Sequence, residues 1–127
     1  RIGASEYRLD GIDAPEYRQT CQDVGGQDWE CGKAARAAME ALLRQPSLSC
    51  TTSGRDKFAR AIAVCRTQQT PDIAAAQVSA GLAISDEFNG IKSYGREEKS
   101  AQKAKRGIWQ GEFVEPSELR NSPPPGP

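Results

Sequence analysis

The sequence predicts an α+β domain, with strands gathered in the first half of the chain and helices in the second. Residues 6–12, "EYRLDGI", alternate between apolar and polar side chains, as a half-buried strand does. Residues 72–80, "DIAAAQVSA", lie between a helix start signal and a glycine that can end the helix. We therefore expect a small antiparallel sheet that could close as a barrel, with the helices packed against it.

Composition limits the possible functions. The 127 residues carry 37% hydrophobic residues and equal numbers of basic and acidic side chains, 17 of each, which is typical of one globular domain and argues against coating nucleic acid by bulk charge. No apolar run reaches the length of a membrane span, so no membrane partner is expected. The sequence contains no histidine, so catalysis would depend on carboxylates, arginines, lysines or a metal.

The elements follow in order along the chain. The first strand should stop at Pro15, which disfavours helical backbone at Ala14. Apolar residues then recur at helical spacing over residues 32–44. Thr70 can cap a second helix that ends at Gly81. A third helix, capped by Ser93, should run to Gly107. We place one domain at 1–116 and a Pro-rich, extended or disordered tail at 117–127.

Four cysteines form an even set without the spacing of a zinc or redox motif. Cys50 and Cys65 lie on two strands of a hairpin expected over residues 47–66, where they could face each other. Cys21 and Cys31 bracket a Gly-rich loop that a disulfide would close. Two disulfides would indicate a secreted or periplasmic protein. Four thiols in a cytosolic protein remain the alternative.

Charged residues collect in the segment "YRLDGIDAPEYR", where Arg8, Asp13, Glu16 and Arg18 surround one turn. Taken alone, an acid beside proline is most often a plain turn residue, because both residue types favour turns. We assign no role to Arg18. Strict alternation along a strand would place Arg8 and Asp13 on opposite faces, so a joint role for them requires a bend or bulge between them.

Four stretches nevertheless resemble the staphylococcal nuclease-like (thermonuclease) family in order and approximate spacing. They are "YRLDGIDAPE", "GRDKFAR", "DIAAAQVSAGLA" and "SAQKAKRGIW", spread over about residues 7–110. The resemblance implies a five-stranded OB-type barrel with three helices. It also implies calcium-dependent hydrolysis of phosphodiester bonds in DNA and RNA, with little sequence specificity, a preference for single strands and a monomeric protein.

Carried over by position, the family's functional residues fall in the segment before the predicted hairpin and in the connection between its two strands. Arg8 and Arg60 match the phosphate-binding arginines, and Glu16 matches the proposed general base. Asp13 matches a calcium-ligating carboxylate, and Ala14 a backbone carbonyl ligand of the same metal. Arginine forks match phosphate oxygens, and calcium accepts loosely arranged oxygen ligands, so these residue types suit attack by water on a phosphodiester.

Two further matches concern the substrate and the metal. Lys57 and Phe58 fall at positions near the bound nucleotide, with Phe58 where the family often has tyrosine. The family pattern also has an Asp-rich turn, one strand earlier, that supplies a second carboxylate to calcium, whereas this sequence begins at Arg1, after that point. We therefore expect a barrel without its first strand, an unpaired sheet edge and weakened calcium binding.

Two other functions remain open. A barrel of the same fold could bind nucleic acid or a protein without cleaving it, which the absence of the first carboxylate favours. A purely structural domain of a larger secreted protein, with the Pro-rich tail as a linker, is a weaker possibility. Retention of both arginines and both acids favours the nuclease.

Overall fold

The computed structural model describes residues 7–55 and 61–121. Within them, the helices are α1 (Cys31–Leu43), α2 (Ile73–Ser79), α3 (Gly95–Ala104) and α4 (Pro116–Asn121), with a 3-10 helix at Gly107–Gln110. The strands are β1 (Tyr7–Leu9), β2 (Ile12–Asp13), β3 (Cys21–Gln22), β4 (Asp28–Trp29), β5 (Ser49–Arg55), β6 (Ala61–Arg66), β7 (Ile84–Ser85), β8 (Glu87–Phe88) and β9 (Ile91–Lys92). The predicted α+β class is confirmed.

The largest sheet has three strands in the order β1-β6-β5, with β1 parallel and β5 antiparallel to β6, so it is mixed and not antiparallel as expected. Strand β2 leaves this sheet and pairs antiparallel with β7. Gly11 causes this separation, because its φ of +85° turns the chain between β1 and β2. The described strands form this sheet and three two-stranded ladders, not a closed barrel, so the five-stranded OB-type barrel is not confirmed.

The hairpin expected over residues 47–66 is present as β5 and β6. A β-bulge between Thr52 and Gly54 shifts the register toward the end of the hairpin where Arg55 pairs with Ala61. In β6, Ala63 and Cys65 face the core, whereas Val64 is 43% exposed. Small side chains on the inner face leave room for the helices that cover this sheet.

Helix α1 begins and ends within one residue of the predicted range. Helix α2 begins later than predicted, because Asp72, and not Thr70, is its N-cap. The Asp72 carboxylate accepts a hydrogen bond from the Ala75 amide at 3.2 Å. Thr70 instead donates its hydroxyl to the Gln45 side chain at 2.7 Å, which joins the start of α2 to the end of α1.

Helix α3 also differs at both ends from its prediction. Tyr94, and not Ser93, occupies its N-cap position, and no side chain caps the helix there. At the other end, Lys105 adopts the left-handed conformation at φ 54° and ends the helix two residues before Gly107.

The main core lies where α2 packs against α1, α3 and β6. Ile73 and Val78 of α2 are completely buried there, together with Ala63 of β6 and Ala83 beyond the helix. Deleting a buried aliphatic side chain of this size costs about 2–5 kcal/mol of unfolding free energy. A second cluster gathers around Ile108 and a disulfide-bonded pair of cysteines.

Two glycines allow the C-terminal end of α2 to contact the 3-10 helix. Gly81, at φ +76°, would place a Cβ only 2.1 Å from the carbonyl oxygen of Arg106. Gly107, at φ +55°, would meet the carbonyl of Gly81 at 2.1 Å. The Ile108 amide donates to that same Gly81 carbonyl at 2.8 Å. The backbones therefore touch directly, and the expected C-terminal role of Gly81 is confirmed.

Both expected disulfides are present. Cys50–Cys65 links directly opposed residues of β5 and β6, with a Cα–Cα distance of 4.1 Å. Cys21–Cys31 joins β3 to the first residue of α1, with a Cα–Cα distance of 5.7 Å. The first bridge reinforces an existing ladder, and the second closes a loop that has only two-residue strands.

The C-terminal segment differs from its prediction. The sequence favoured an extended or disordered tail over residues 117–127, whereas α4 continues to Asn121, and residues 122–127 lie outside the described residues. Pro116 begins this helix and is completely buried, which suits a residue with a preset helical φ and no amide hydrogen. Among the described residues, no helix is long and apolar enough to cross a bilayer.

Candidate active site at the end of the first strand

Arg8 lies in the middle of β1, where its backbone is in register with Ile62 of β6. Its guanidinium Nη2 is 3.7 Å from a carboxylate oxygen of Asp86, which follows β7. About a third of the Arg8 side chain is exposed to solvent. The guanidinium is therefore accessible, and an acid lies beside it.

The bend required between Arg8 and Asp13 is present. The chain turns at Asp10 and Gly11, and Gly11 has a φ of +85° that other residues rarely adopt. A Cβ at this position would also lie 2.9 Å from a ring carbon of Tyr94. Backbone conformation and lack of space thus both require glycine here.

Asp13 ends strand β2 and is paired with Ile84 of β7. Its neighbour Ala14 packs against the main core, and Pro15 after it is buried. The two-residue ladder and this packing hold the segment carrying the candidate metal ligands against the body of the protein.

The turn that carries Glu16 is fixed by the buried side chain of Gln19. The amide of Glu16 donates to the Gln19 side-chain oxygen at 3.1 Å, and its carbonyl accepts from the Gln19 amide at 2.8 Å. The Gln19 side-chain nitrogen donates to the carbonyl of Val114 at 2.6 Å. Gly32 of α1 touches this turn, since a Cβ there would lie 1.8 Å from the Glu16 carbonyl. Glu16 is thus tied to α1 and to the C-terminal segment.

Three predicted site residues, Lys57, Phe58 and Arg60, lie outside the described residues. The described ends of their connection are Arg55 and Ala61, which pair with each other. Ala61 also pairs with Tyr7, the residue before Arg8. Their roles therefore stay predictions.

Sequence reasoning missed two acids next to the site, Asp86 and Glu98. Glu98 of α3 is 3% exposed, and its carboxylate accepts from the Ser85 amide of β7 at 2.7 Å and pairs with Lys92. The hydrogen bond to Glu98 raises the pKa of Lys92. The polar run at residues 85–87 is typical of a loop, and its pairing with the β1–β2 turn gives no local signal in the sequence.

The two tryptophans pack against a buried cluster. Trp29 and Trp109 both contact the cluster around Ile108. The Trp109 ring meets Phe113 edge to face, with ring centroids 5.1 Å apart. These rings stabilise the C-terminal segment that the Gln19 side chain also contacts.

The arrangement provides Arg8 and two predicted site acids, Asp13 and Glu16, along one constrained segment of nine residues. Its possible cation ligands are the carboxylates of Asp13 and Glu16 and the backbone carbonyl of Ala14, all hard oxygens of the kind calcium prefers. The described residues contain no cluster of three or more acidic, histidine or cysteine side chains that could hold a metal. The donor set fits calcium in kind but supplies few of the six to eight oxygens that the ion takes, so water and substrate would have to supply the others.

Comparison with known proteins supports one family. A curated relative, the succinoglycan biosynthesis protein ExoI of Rhizobium meliloti (strain 1021), is 28% identical over 112 residues. The match covers 87% of this chain and 59% of that protein, so the chain spans less than two thirds of its relative's length. The staphylococcal nuclease homologue family matches residues 6–111, which include the β1–β2 segment and all three longer helices. The chain therefore belongs to the staphylococcal nuclease homologue family.

Proposed function

We propose that this protein is a calcium-dependent nuclease that hydrolyses phosphodiester bonds of DNA and RNA with little sequence specificity. The observation that carries the proposal is the turn at Gly11, which interrupts the strand between Arg8 and Asp13, so that these residues are not bound to the opposite faces that strict alternation would give them. Family membership supports the same reaction class.

The proposed roles follow from the charge of the substrate. A phosphodiester repels nucleophiles, so hydrolysis needs neutralised oxygens, an aligned water and a base. Arg8 would bind the phosphate oxygens and gain strength as charge builds on them, with Arg60 as its partner from the β5–β6 connection. Glu16 would orient and deprotonate the water. Lys57 and Phe58 would contact the neighbouring nucleotide.

Calcium has a defined place in this proposal. Asp13 and the carbonyl of Ala14 would hold the ion, which would add positive charge beside the phosphate when bound. With a single Asp ligand from this segment we expect weak binding. Calcium should therefore be needed at high concentration.

We also propose the cellular compartment in which this activity takes place. The two disulfides favour an oxidising compartment, so we place the protein outside the cytosol, secreted or in the periplasm. A preference for single-stranded substrates and a monomeric state belong to the same proposal.

The test is a cleavage assay on single-stranded DNA and on RNA, with calcium and with chelator. We expect calcium-dependent cleavage that falls sharply in Arg8→Gln and Asp13→Asn. Arg18→Gln is the matched control, because it removes an exposed arginine beside the same turn to which no role is assigned. Equal loss in Arg8→Gln and Arg18→Gln would contradict the assigned site.

A non-catalytic module that binds nucleic acid or a protein is the second candidate. The small number of metal donors on the β1–β2 segment favours it. Binding of single-stranded DNA that is weakened by Arg8→Gln, without cleavage at any calcium concentration, would establish this alternative.

A further inference from the structure

Arg8, the arginine assigned to phosphate, already has an acid beside it. The guanidinium lies 3.7 Å from the Asp86 carboxylate, which is too long for a hydrogen bond but within ion-pair distance. The two side chains are 32% and 43% exposed, so both meet solvent. An anion that approaches Arg8 therefore also approaches the negative charge of Asp86.

The backbone of Asp86 is held in place on both sides. Its amide donates to the carbonyl of Gly11 at 2.8 Å, which fixes it against the turn between β1 and β2. Its carbonyl accepts from the Ser93 amide at 3.3 Å and from the Ser85 hydroxyl at 3.2 Å. The Ser85 amide in turn donates to the buried Glu98 carboxylate at 2.7 Å. The backbone position of Asp86 is thus fixed by hydrogen bonds to neighbouring elements.

We infer that Asp86 tunes which phosphates Arg8 binds, by reducing the advantage that doubly charged terminal phosphates have over singly charged phosphodiesters. The inference rests on the proposed function, in which Arg8 binds phosphate. A lone arginine attracts a dianion about twice as strongly as a monoanion, because Coulomb energy scales with charge. Asp86 likewise repels the dianion about twice as strongly as the monoanion. Its charge therefore lowers the affinity for the dianion more than the affinity for the monoanion.

This selection suits an enzyme that cleaves within a strand. Interior linkages of a nucleic acid carry one negative charge each, whereas a terminal phosphate monoester carries close to two at neutral pH or above. Without Asp86, strand ends and free phosphate would compete better for Arg8. With it, their advantage over the interior linkage is smaller.

The test measures binding of two probes in the presence of chelator, so that only the charges of the chain act. The probes are thymidine 5′-methylphosphate, a diester with one negative charge, and thymidine 5′-phosphate, a monoester with close to two, at pH 8. We expect Asp86→Asn to tighten the first by about twofold and the second by about fourfold, as the usual strength of exposed ion pairs and the doubled charge imply. Asp86→Glu should behave as wild type.

Two controls separate a specific effect from a general one. Glu40→Gln removes the same charge from α1, and we expect it to leave both affinities unchanged. In an Arg8→Gln background, the effect of Asp86→Asn should disappear, because the acid acts through Arg8. An unchanged urea midpoint in each variant would establish that the proteins remain equally folded.

The remaining outcomes overturn the inference in distinguishable ways. Weaker binding of both probes by Asp86→Asn would mean that this acid orients Arg8. If Asp86→Asn raised the affinities as much in the Arg8→Gln background as in the wild-type protein, the charge of Asp86 would act on anions in general and not through Arg8. In both cases the proposed function stands if Arg8→Gln itself weakens binding. If Arg8→Gln leaves binding unchanged, the proposed function fails and the inference fails with it.

Discussion

The candidate site and the helical half of the molecule are built in different ways. The segment from Arg8 to Glu16 is held by one glycine turn, a two-residue ladder with β7 and the side chain of Gln19. Around α2, by contrast, completely buried aliphatic side chains pack together, and Gly81 brings two backbones into direct contact.

This difference indicates where stability and function reside. The largest completely buried side chains of the main core, Ile73 and Val78, belong to the helical half, although Leu9 and Ile12 of the site segment pack in the same core. The site segment exposes charged side chains on a small amount of regular structure, as residues that bind and react require. Changes in the helical half should therefore lower stability, whereas changes in the site segment should mainly lower activity.

The largest expected effect on stability comes from Gly81→Ala. The new Cβ would meet the Arg106 carbonyl at 2.1 Å, and the residue would keep a φ of +76°. Strained backbone and overpacking together should lower the unfolding free energy by about 4 kcal/mol. Urea unfolding measures this loss.

Gly26→Ala is the matched control for that substitution. Gly26 has a φ of +81°, close to that of Gly81, but no atom lies within 4 Å of the position that a Cβ would take there. We expect a loss of about 1–2 kcal/mol from backbone strain alone. Equal losses at the two glycines would show that the backbone contact at Gly81 does not matter.

Removal of a disulfide should have the next largest effect on stability, and its effect on cleavage should differ between the two regions. Replacing either pair by serine should cost about 3 kcal/mol in the chain-entropy model, since the loops span 10 and 15 residues. Removing Cys21–Cys31 should also lower cleavage, because that loop continues directly from the Glu16 turn. Removing Cys50–Cys65 should lower stability with less effect on cleavage per folded molecule. The reverse pattern would contradict the division between the regions.

Two buried glutamines provide a closer comparison. Gln19 holds the Glu16 turn and donates to Val114, whereas Gln77 of α2 donates to the carbonyl of Ala35 at 2.8 Å. Substitution of either by alanine should cost about 1–3 kcal/mol, because a buried partner is left unsatisfied. Only Gln19→Ala should also lower kcat, by roughly tenfold or more through displacement of Glu16. Steady-state kinetics below the unfolding transition would test this, and an equal loss of kcat in Gln77→Ala would count against it.

The smallest effect concerns pH. The pKa of Lys92 is raised by its hydrogen bond to Glu98, so the folded state holds this proton more tightly than the unfolded state. The resulting stabilisation is complete below the ordinary lysine pKa of 10.5 and is lost as pH rises through the folded value. We expect the unfolding free energy of Lys92→Met to fall less than that of the wild-type protein as pH rises. An unchanged slope between pH 9.5 and about 11.5 would contradict this.

Local signals predicted much of the fold. Apolar spacing located α1 within one residue, and strand alternation with facing cysteines located the β5–β6 hairpin and its disulfide. The N-terminus of α2 was misplaced, because Thr70 and Asp72 are both good caps and only the extended backbone at Asp72 decides between them.

Contacts between distant parts of the chain could not be predicted. Asp86 reaches Arg8 only because β7 pairs with β2, and that pairing depends on a turn at Gly11 and on the buried carboxylate of Glu98. No pattern within residues 84–88 indicates a partner more than seventy positions earlier. The site residues on the first strand were instead proposed from a resemblance in motif order.

The most direct test of the nuclease proposal compares Glu16→Gln with Glu30→Gln. Both substitutions replace a glutamate by its amide, but Glu30 is an exposed residue that pairs with Lys33. With saturating calcium and single-stranded DNA, we predict that Glu16→Gln lowers kcat by about 10²–10⁴-fold while both variants keep the wild-type unfolding free energy within about 0.5 kcal/mol. Wild-type cleavage by Glu16→Gln, or no cleavage by the wild-type protein, would contradict the account.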